Sequence, residues 1–202
     1  MKQLCLVLVA VLLASLATVP PARATLIWSD GFETNDLSAW TSADGQWKTT
    51  ESTVAAHSGD IGVDIIGPNS LSGDGGDYLL LLISTVGYEN ITLSYWWKVR
   101  AALEEEEFVA GKYTTDGSNW LSAIPGHDGP LGISDWQLST WILPPEAANN
   151  PNFGIRFRAI LGSSGDRMHF DDFNLTGMPI IPEPATMSLL GFGAVAMLRR
   201  RR

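Results

Sequence analysis

Residues 91–100 limit what this chain can fold into more than any other segment. Ile91, Leu93, Tyr95, Trp97 and Val99 alternate with Thr92, Ser94, Trp96, Lys98 and Arg100. Successive side chains of a strand point to opposite faces, so this spacing builds a half-buried strand with one apolar and one polar face. Residues 153–159 repeat the pattern, with Arg156 and Arg158 facing out. Phe108–Thr114 reads as a further strand leading to the tight-turn pair Asp116-Gly117, and residues 169–177 read as a last strand. Residues 78–83 form an unbroken apolar run, the pattern of a strand covered on both faces. No stretch between 25 and 177 holds a helical period. Short strands with Gly, Asn and Asp between them predict an all-β antiparallel sandwich.

The two ends are of another kind. Met1-Lys2-Gln3 is followed by an apolar run over 4–19, then Pro20-Pro21 and Ala22-Arg23-Ala24. A basic start, an apolar core and a small-x-small end are the three parts of a secretory signal, so a signal helix is predicted over residues 1–24. Signal peptidase would then leave a mature chain starting near Thr25. The single cysteine, Cys5, lies inside that signal. The mature protein is therefore expected to have no disulfide, no cysteine nucleophile and no thiolate metal site.

At the other end, Pro182-Glu183-Pro184 precedes an apolar stretch over 185–198 and the cluster Arg199, Arg200, Arg201 and Arg202. A helix over that stretch would cover about 21 Å, short of the roughly 30 Å hydrocarbon core. Ile180 and Ile181 extend it, and the arginines can snorkel to the headgroups, so a short C-terminal transmembrane helix is expected. The arginines would stay on the cytoplasmic side and hold the body outside.

Between the ends, residues 25–182 carry seven basic and twenty-one acidic residues, a formal charge of −14. Such a surface repels nucleic acid and anionic membranes and excludes both as natural partners, while tolerating calcium. A body of about 160 residues suits one domain with a sizeable core.

Two resemblances join these readings. Ile181-Pro182-Glu183-Pro184, the Leu189-to-Gly193 segment and the terminal arginines resemble the PEP-CTERM sorting signal. That implies an exported bacterial protein held transiently in the inner membrane, processed by exosortase near the Pro-Glu-Pro, then released or passed to the cell surface. It also implies a link to exopolysaccharide and biofilm production. Asp30-Gly-Phe-Glu33, Trp40, Ala56-His57-Ser58-Gly59, the 93–98 strand, the 115–120 turn, residues 153–158 and residues 170–177 resemble, in order, a MAM or concanavalin-like jelly-roll. The paired cysteines of true MAM domains are missing, so the broader jelly-roll class is the expectation. The organisation that follows is 1–24 signal, 25–177 jelly-roll and 178–202 sorting signal.

The carboxylates at the two ends of the body are the leading site. First and last strands of such sandwiches lie side by side, which would bring Glu33 to Asp171 or Asp172. Related jelly-rolls often carry calcium there, so the resemblance implies a structural ion, and alternation cannot choose between the two aspartates. The alternative is that these groups cap turns by accepting backbone hydrogen bonds. Residues 72–77 resemble one glycine-aspartate calcium repeat, and a single copy reads as an acidic loop. Glu104, Glu105, Glu106 and Glu107 could hold a glycosidase pair, since alternate strand residues lie some 6.5–7 Å apart. A solvated, aggregation-blocking edge is the plainer reading.

Aromatic faces stack on sugar rings, and Trp96, on the polar face of its strand, is the candidate platform. Trp47, Trp120, Trp136 and Trp141 could serve there or in the core. His57, His127 and His169 are scattered, and no His-x-x-x-His pair, nucleophile elbow or phosphate loop occurs. The expected function is a non-catalytic surface or matrix module that binds exopolysaccharide. A small secreted glycoside hydrolase or lyase on the same fold, and a purely structural matrix protein, are the alternatives.

Overall fold

The computed structural model describes residues 23–43, 45–68, 78–122 and 127–180. Both helices predicted for the ends, the sorting residues Pro182, Glu183, Pro184 and Arg199 to Arg202, and the loop at 72–77 lie outside the described residues. The chain divides into two units, and Ala24–Met178 is the unit described here. Among the described residues no helix is long and apolar enough to cross a membrane.

Eleven strands occur among the described residues: β1 (Thr25–Asp30), β2 (Ser42–Ala43), β3 (Trp47–Glu51), β4 (Ile61–Ile66), β5 (Tyr78–Leu82), β6 (Tyr88–Ala101), β7 (Phe108–Thr114), β8 (His127–Asp128), β9 (Gln137–Ile142), β10 (Gly154–Ile160) and β11 (Arg167–Pro179). A single 3₁₀ turn, Pro145–Ala147, joins β9 to β10. One sheet runs β3-β4-β11-β6-β9, with β1 also paired to β11; the other runs β2-β5-β10-β7-β8. This is the antiparallel sandwich that the alternation predicts.

The two sheets bury their alternate apolar residues against each other. Leu93, Tyr95 and Val99 of β6 face Ile155, Phe157 and Ala159 of β10, all essentially inaccessible. Tyr95 is the hub. Its ring lies 5.0 Å from Phe157 edge-on and 5.0 Å from Phe173 in a stack, and its hydroxyl meets His127 Nε2 at 3.0 Å. Burial drives the Tyr95 phenol well above its ordinary range and pushes the His127 imidazole down to about 4. The histidine is therefore neutral, and its Nε2 shares a hydrogen bond with the tyrosine hydroxyl.

β11 organises the site. Its first half pairs with β4 as far as Phe170, opposite Val63, and its second half pairs with β1 from Phe173, opposite Asp30. Phe170 and Phe173 both enter the core, so Asp171 and Asp172 stand together where the strand changes partners. Asp172 takes φ 50°, a left-handed conformation that an aspartate tolerates better than most residues.

Two expectations are corrected. β5 is not covered on both faces: it buries Leu79 and Leu81 and turns Tyr78, Leu80 and Leu82 toward the outside. An unbroken apolar run therefore does not by itself show that both faces of a strand are buried. The four glutamates do not form an extended edge. They turn between β6 and β7, and Glu107 folds inward to accept from the Glu104 N–H at 2.7 Å and from the Gly162 N–H. Burial raises the Glu107 carboxyl. Burial also works to raise its neighbour Asp166, but bonds from Glu107, Ser163 and Gly162 outweigh it and hold that group low.

Candidate functional site

Four of the predicted site residues meet at one turn, 57–61, on the six-stranded sheet. Asp171 is wholly buried, and its Oδ2 accepts from the His57 N–H at 2.7 Å and the Ser58 N–H at 3.1 Å. Its Oδ1 accepts from the Asp172 N–H at 2.7 Å. Asp172 takes the Ser58 hydroxyl and His57 Nδ1, each at 2.7 Å. Glu33 Oε1 accepts from the Asp60 and Ile61 N–H groups, both at 3.1 Å. Desolvation pushes the Asp171 carboxyl up to about 6 against the pull of its three N–H donors, and the adjacent Asp172 adds to the rise.

The donor chemistry here is all oxygen, the kind a hard cation takes. As placed, however, each of the three carboxylates already accepts hydrogen bonds from the turn. Among the described residues, no three carboxylate or imidazole groups are arranged to hold a metal. The arrangement fits a capped turn that ties the first strand to the last.

Trp96 lies against the same turn. Its ring stacks on His57, with centroids 3.9 Å apart and planes 11° off parallel, and the Trp136 ring meets His57 edge-on at 5.5 Å. One face of Trp96 is thus occupied by the imidazole. Lys98 Nζ sits 4.5 Å over the Trp136 ring, completing a layer of side chains over this sheet.

The five-stranded sheet presents a different surface. Cross-strand register places Arg156 between Leu80 of β5 and Lys112 of β7, and Arg158 between Tyr78 and Ala110. Phe108 stands beside Ile160 at the end of the same row. Asp116 reverses the chain after β7 by accepting from the Ser118 and Asn119 N–H groups at 2.8 and 2.7 Å, which pulls its carboxyl below the usual range. Leu121 then pairs back to Tyr113. The reversal brings Trp120 onto the outward face, where the Arg156 guanidinium lies 4.6 Å from its ring centroid. Tyr78, Phe108, Lys112, Trp120, Arg156 and Arg158 of this face are all half-buried. Pleat and register together build it, which is why the alternation of Arg156 and Arg158 is visible in sequence but their aromatic neighbours are not. The signal for Trp120 is its place just beyond an Asp-Gly turn.

Residues 181–202 match the PEP-CTERM protein-sorting motif. The chain carries a PEP-CTERM sorting signal. That tail indicates export, and it implies processing by exosortase, a membrane protease. No curated protein matches the chain in sequence. Among solved structures, TmCBM61 in complex with beta-1,4-galactotriose is 21% identical, with a TM-score of 0.51, covering 72% of this chain and 92% of its own. A family 16 carbohydrate-binding module is 16% identical, with a TM-score of 0.52, covering 75% of this chain and 99% of its own. The K1 cleaved adhesin domain of Lys-gingipain from Porphyromonas gingivalis W83 is 18% identical, with a TM-score of 0.52, over 76% and 97%. These likenesses establish a jelly-roll-like β-sandwich for the body of the PEP-CTERM chain.

Proposed function

We propose that the body is a non-catalytic glycan-binding module, delivered by its PEP-CTERM tail to the cell surface or the extracellular matrix. The observation that carries this reading is the row on the five-stranded sheet, in which Trp120, Tyr78 and Phe108 frame Arg156, Arg158 and Lys112. Half-exposed aromatic rings supply apolar faces for sugar rings, and Lys112 in the same row supplies hydrogen-bond donors to hydroxyl groups. Neighbouring strands lie about 4.8 Å apart, so a face three strands wide suits a chain of a few sugar units rather than one ring. The carbohydrate-binding modules of the same fold support the reading. The Glu107 and Asp166 carboxylates serve as caps within a loop, which gives no support to hydrolysis.

Affinity electrophoresis of the exported protein through gels containing soluble polysaccharides tests the proposal. Retardation by at least one of them is expected, and Trp120→Ala should weaken it by about thirty-fold, since an aromatic anchor commonly contributes 2 kcal/mol or more. Trp96→Ala should leave retardation intact. Retardation that depends on Trp96 and ignores Trp120 would move the site to the other sheet. Release of reducing ends from the gel polymer would replace the binding module with an enzyme.

A further inference from the structure

We propose that β9 is a docking edge for a second copy of this chain, the two β9 strands pairing antiparallel about a two-fold axis at Thr140. Among the described strands β9 ends the six-stranded sheet, with β6 on its one paired side. Just past its end the Leu143 N–H reaches the Ile91 carbonyl at 2.9 Å. Backbone groups of an antiparallel ladder point to the partner at every second residue, so Gln137, Ser139 and Trp141 also turn theirs to β6. Leu138, Thr140 and Ile142 turn theirs to the open edge, and all three are exposed.

An edge left this way templates pairing with another strand, and folded proteins blunt such edges with short strands, charges, prolines or bulges. The other described edges are blunted. β2 and β8 have two residues each. β3 carries Lys48 and Glu51, and β1 ends at Asp30 after a register break between Leu26 and Trp28. β9 has six residues, no charge, no proline and an unbroken register against β6. Its open side also presents Leu138, 54% exposed, and Ile142, 82% exposed.

The occupant that fits is the same strand. Pairing centred on Thr140 sets Leu138 opposite Ile142 of the second copy, and Ile142 opposite its Leu138. All three pairs fall at residues whose N–H and C=O groups face the open edge, so each pair exchanges two bonds, about six in all. A slip of one residue would oppose these groups to groups already turned to β6, and a slip of two would leave Leu138 or Ile142 without a partner in the strand. Charge favours the same contact. Residues 25–182 carry a formal −14, so two copies repel over most of their surfaces. β9 is a neutral stretch where they can approach, the nearest acids in sequence, Asp135 and Glu146, lying beyond its two ends.

The axis of such a pair stands perpendicular to the sheet. Both copies then turn their five-stranded sheets to the same side, and a polymer bound by that face would meet it twice, gaining avidity without new contacts. The dimer itself does not depend on that ligand.

Sedimentation velocity of the exported protein, without polysaccharide, from about 1 µM to about 1 mM tests the assignment. A concentration-dependent monomer–dimer equilibrium is expected. Leu138→Lys with Ile142→Lys opposes like charges in both outer pairs and should weaken dimerisation about ten-fold or more. Both side chains are exposed, so the melting temperature of the monomer should not change. Leu138→Lys with Ile142→Glu pairs opposite charges in the Thr140 register and should restore the dimer. A monomer at every concentration, or a dimer indifferent to the like-charge variant, overturns the docking edge. Loss of the dimer in the like-charge variant with no recovery in the opposite-charge variant overturns the pairing about Thr140.

Discussion

Gly59→Ala is the sharpest perturbation of the carboxylate-held turn. Gly59 has φ +64°, and a Cβ there would lie 2.2 Å from Glu33 Oε1 and 2.5 Å from Glu33 Cδ. Two costs add. A non-glycine residue in the left-handed region costs roughly 1–2 kcal/mol. The Glu33 carboxylate must also withdraw from the Asp60 and Ile61 N–H groups. Asp60 is exposed and its N–H can turn to water, whereas Ile61 is buried. Losing that one bond to a charged acceptor adds about 1.5–3 kcal/mol. The total is about 2.5–5 kcal/mol, and for a domain of this size the melting temperature falls on the order of 10 °C. Urea unfolding of the single and double variants measures it. In a Glu33→Ala background no carboxylate is left to clash, and Gly59→Ala should then cost only the backbone part. An equal cost of Gly59→Ala in both backgrounds would refute the claim that Glu33 and Gly59 are packed together.

Other outcomes follow from the same structure. The folded-state imidazole of His127, near 4, contributes stability that is present above its unfolded pKa of about 6.5 and is lost as pH falls toward 4, on the order of 3 kcal/mol in full. Asp171, raised to about 6, acts in the opposite sense: its contribution is full below about 3.8 and is lost as pH rises through 6, again on the order of 3 kcal/mol. The two nearly cancel, so the urea midpoint should change little from these groups between pH 7 and 4, while His127→Gln should gain stability on acidification; a loss in that variant would refute the pairing. Tyr95→Phe leaves the buried His127 Nε2 without its partner and should cost about 1–3 kcal/mol by urea unfolding. A turn satisfied by N–H donors should melt at the same temperature with chelator as with millimolar calcium. A rise of several degrees with calcium, abolished in Glu33→Ala, would show that the carboxylates rearrange around an ion.

How far the fold can be read from sequence depends on which force sets each feature. The pleat imposes its period on any half-buried strand, so the inward and outward residues of β6 and β10 are assigned by alternation alone. β5 reads wrongly because hydrophobicity reports what a residue would prefer, and Leu80 and Leu82 sit on the outward face, Leu80 half-buried and Leu82 exposed. A run of glutamates reads as hydrophilic whether it lies straight or turns, and only tertiary contacts show Glu107 folded onto the Gly162 N–H. The convergence of Glu33, Asp171 and Asp172 follows from the adjacency of first and last strands. Their hydrogen-bond donors do not: those of Glu33 and two of the three of Asp171 are backbone N–H groups of residues 57–61, which no side-chain code records, and the Ser58 hydroxyl and His57 ring meet Asp172 only once that turn is folded against it. The Trp120 row needs the register of three strands distant in sequence, which local patterns do not specify.

β11 lies between β6 on one side and β4 and β1 on the other, and the sorting tail continues directly from its end. A body held through its C-terminal end and elsewhere by a polymer takes up the pull at the end of β11, and the component along the strand axis acts on its ladder. Ladder hydrogen bonds run across this axis, so tension loads them in shear and many must yield together; they cannot be peeled one at a time. The interior position of the last strand thus makes the point of attachment a mechanically resistant part of the domain. A tail leaving from a sheet edge such as β9 would instead let the pull unzip the sandwich from its rim.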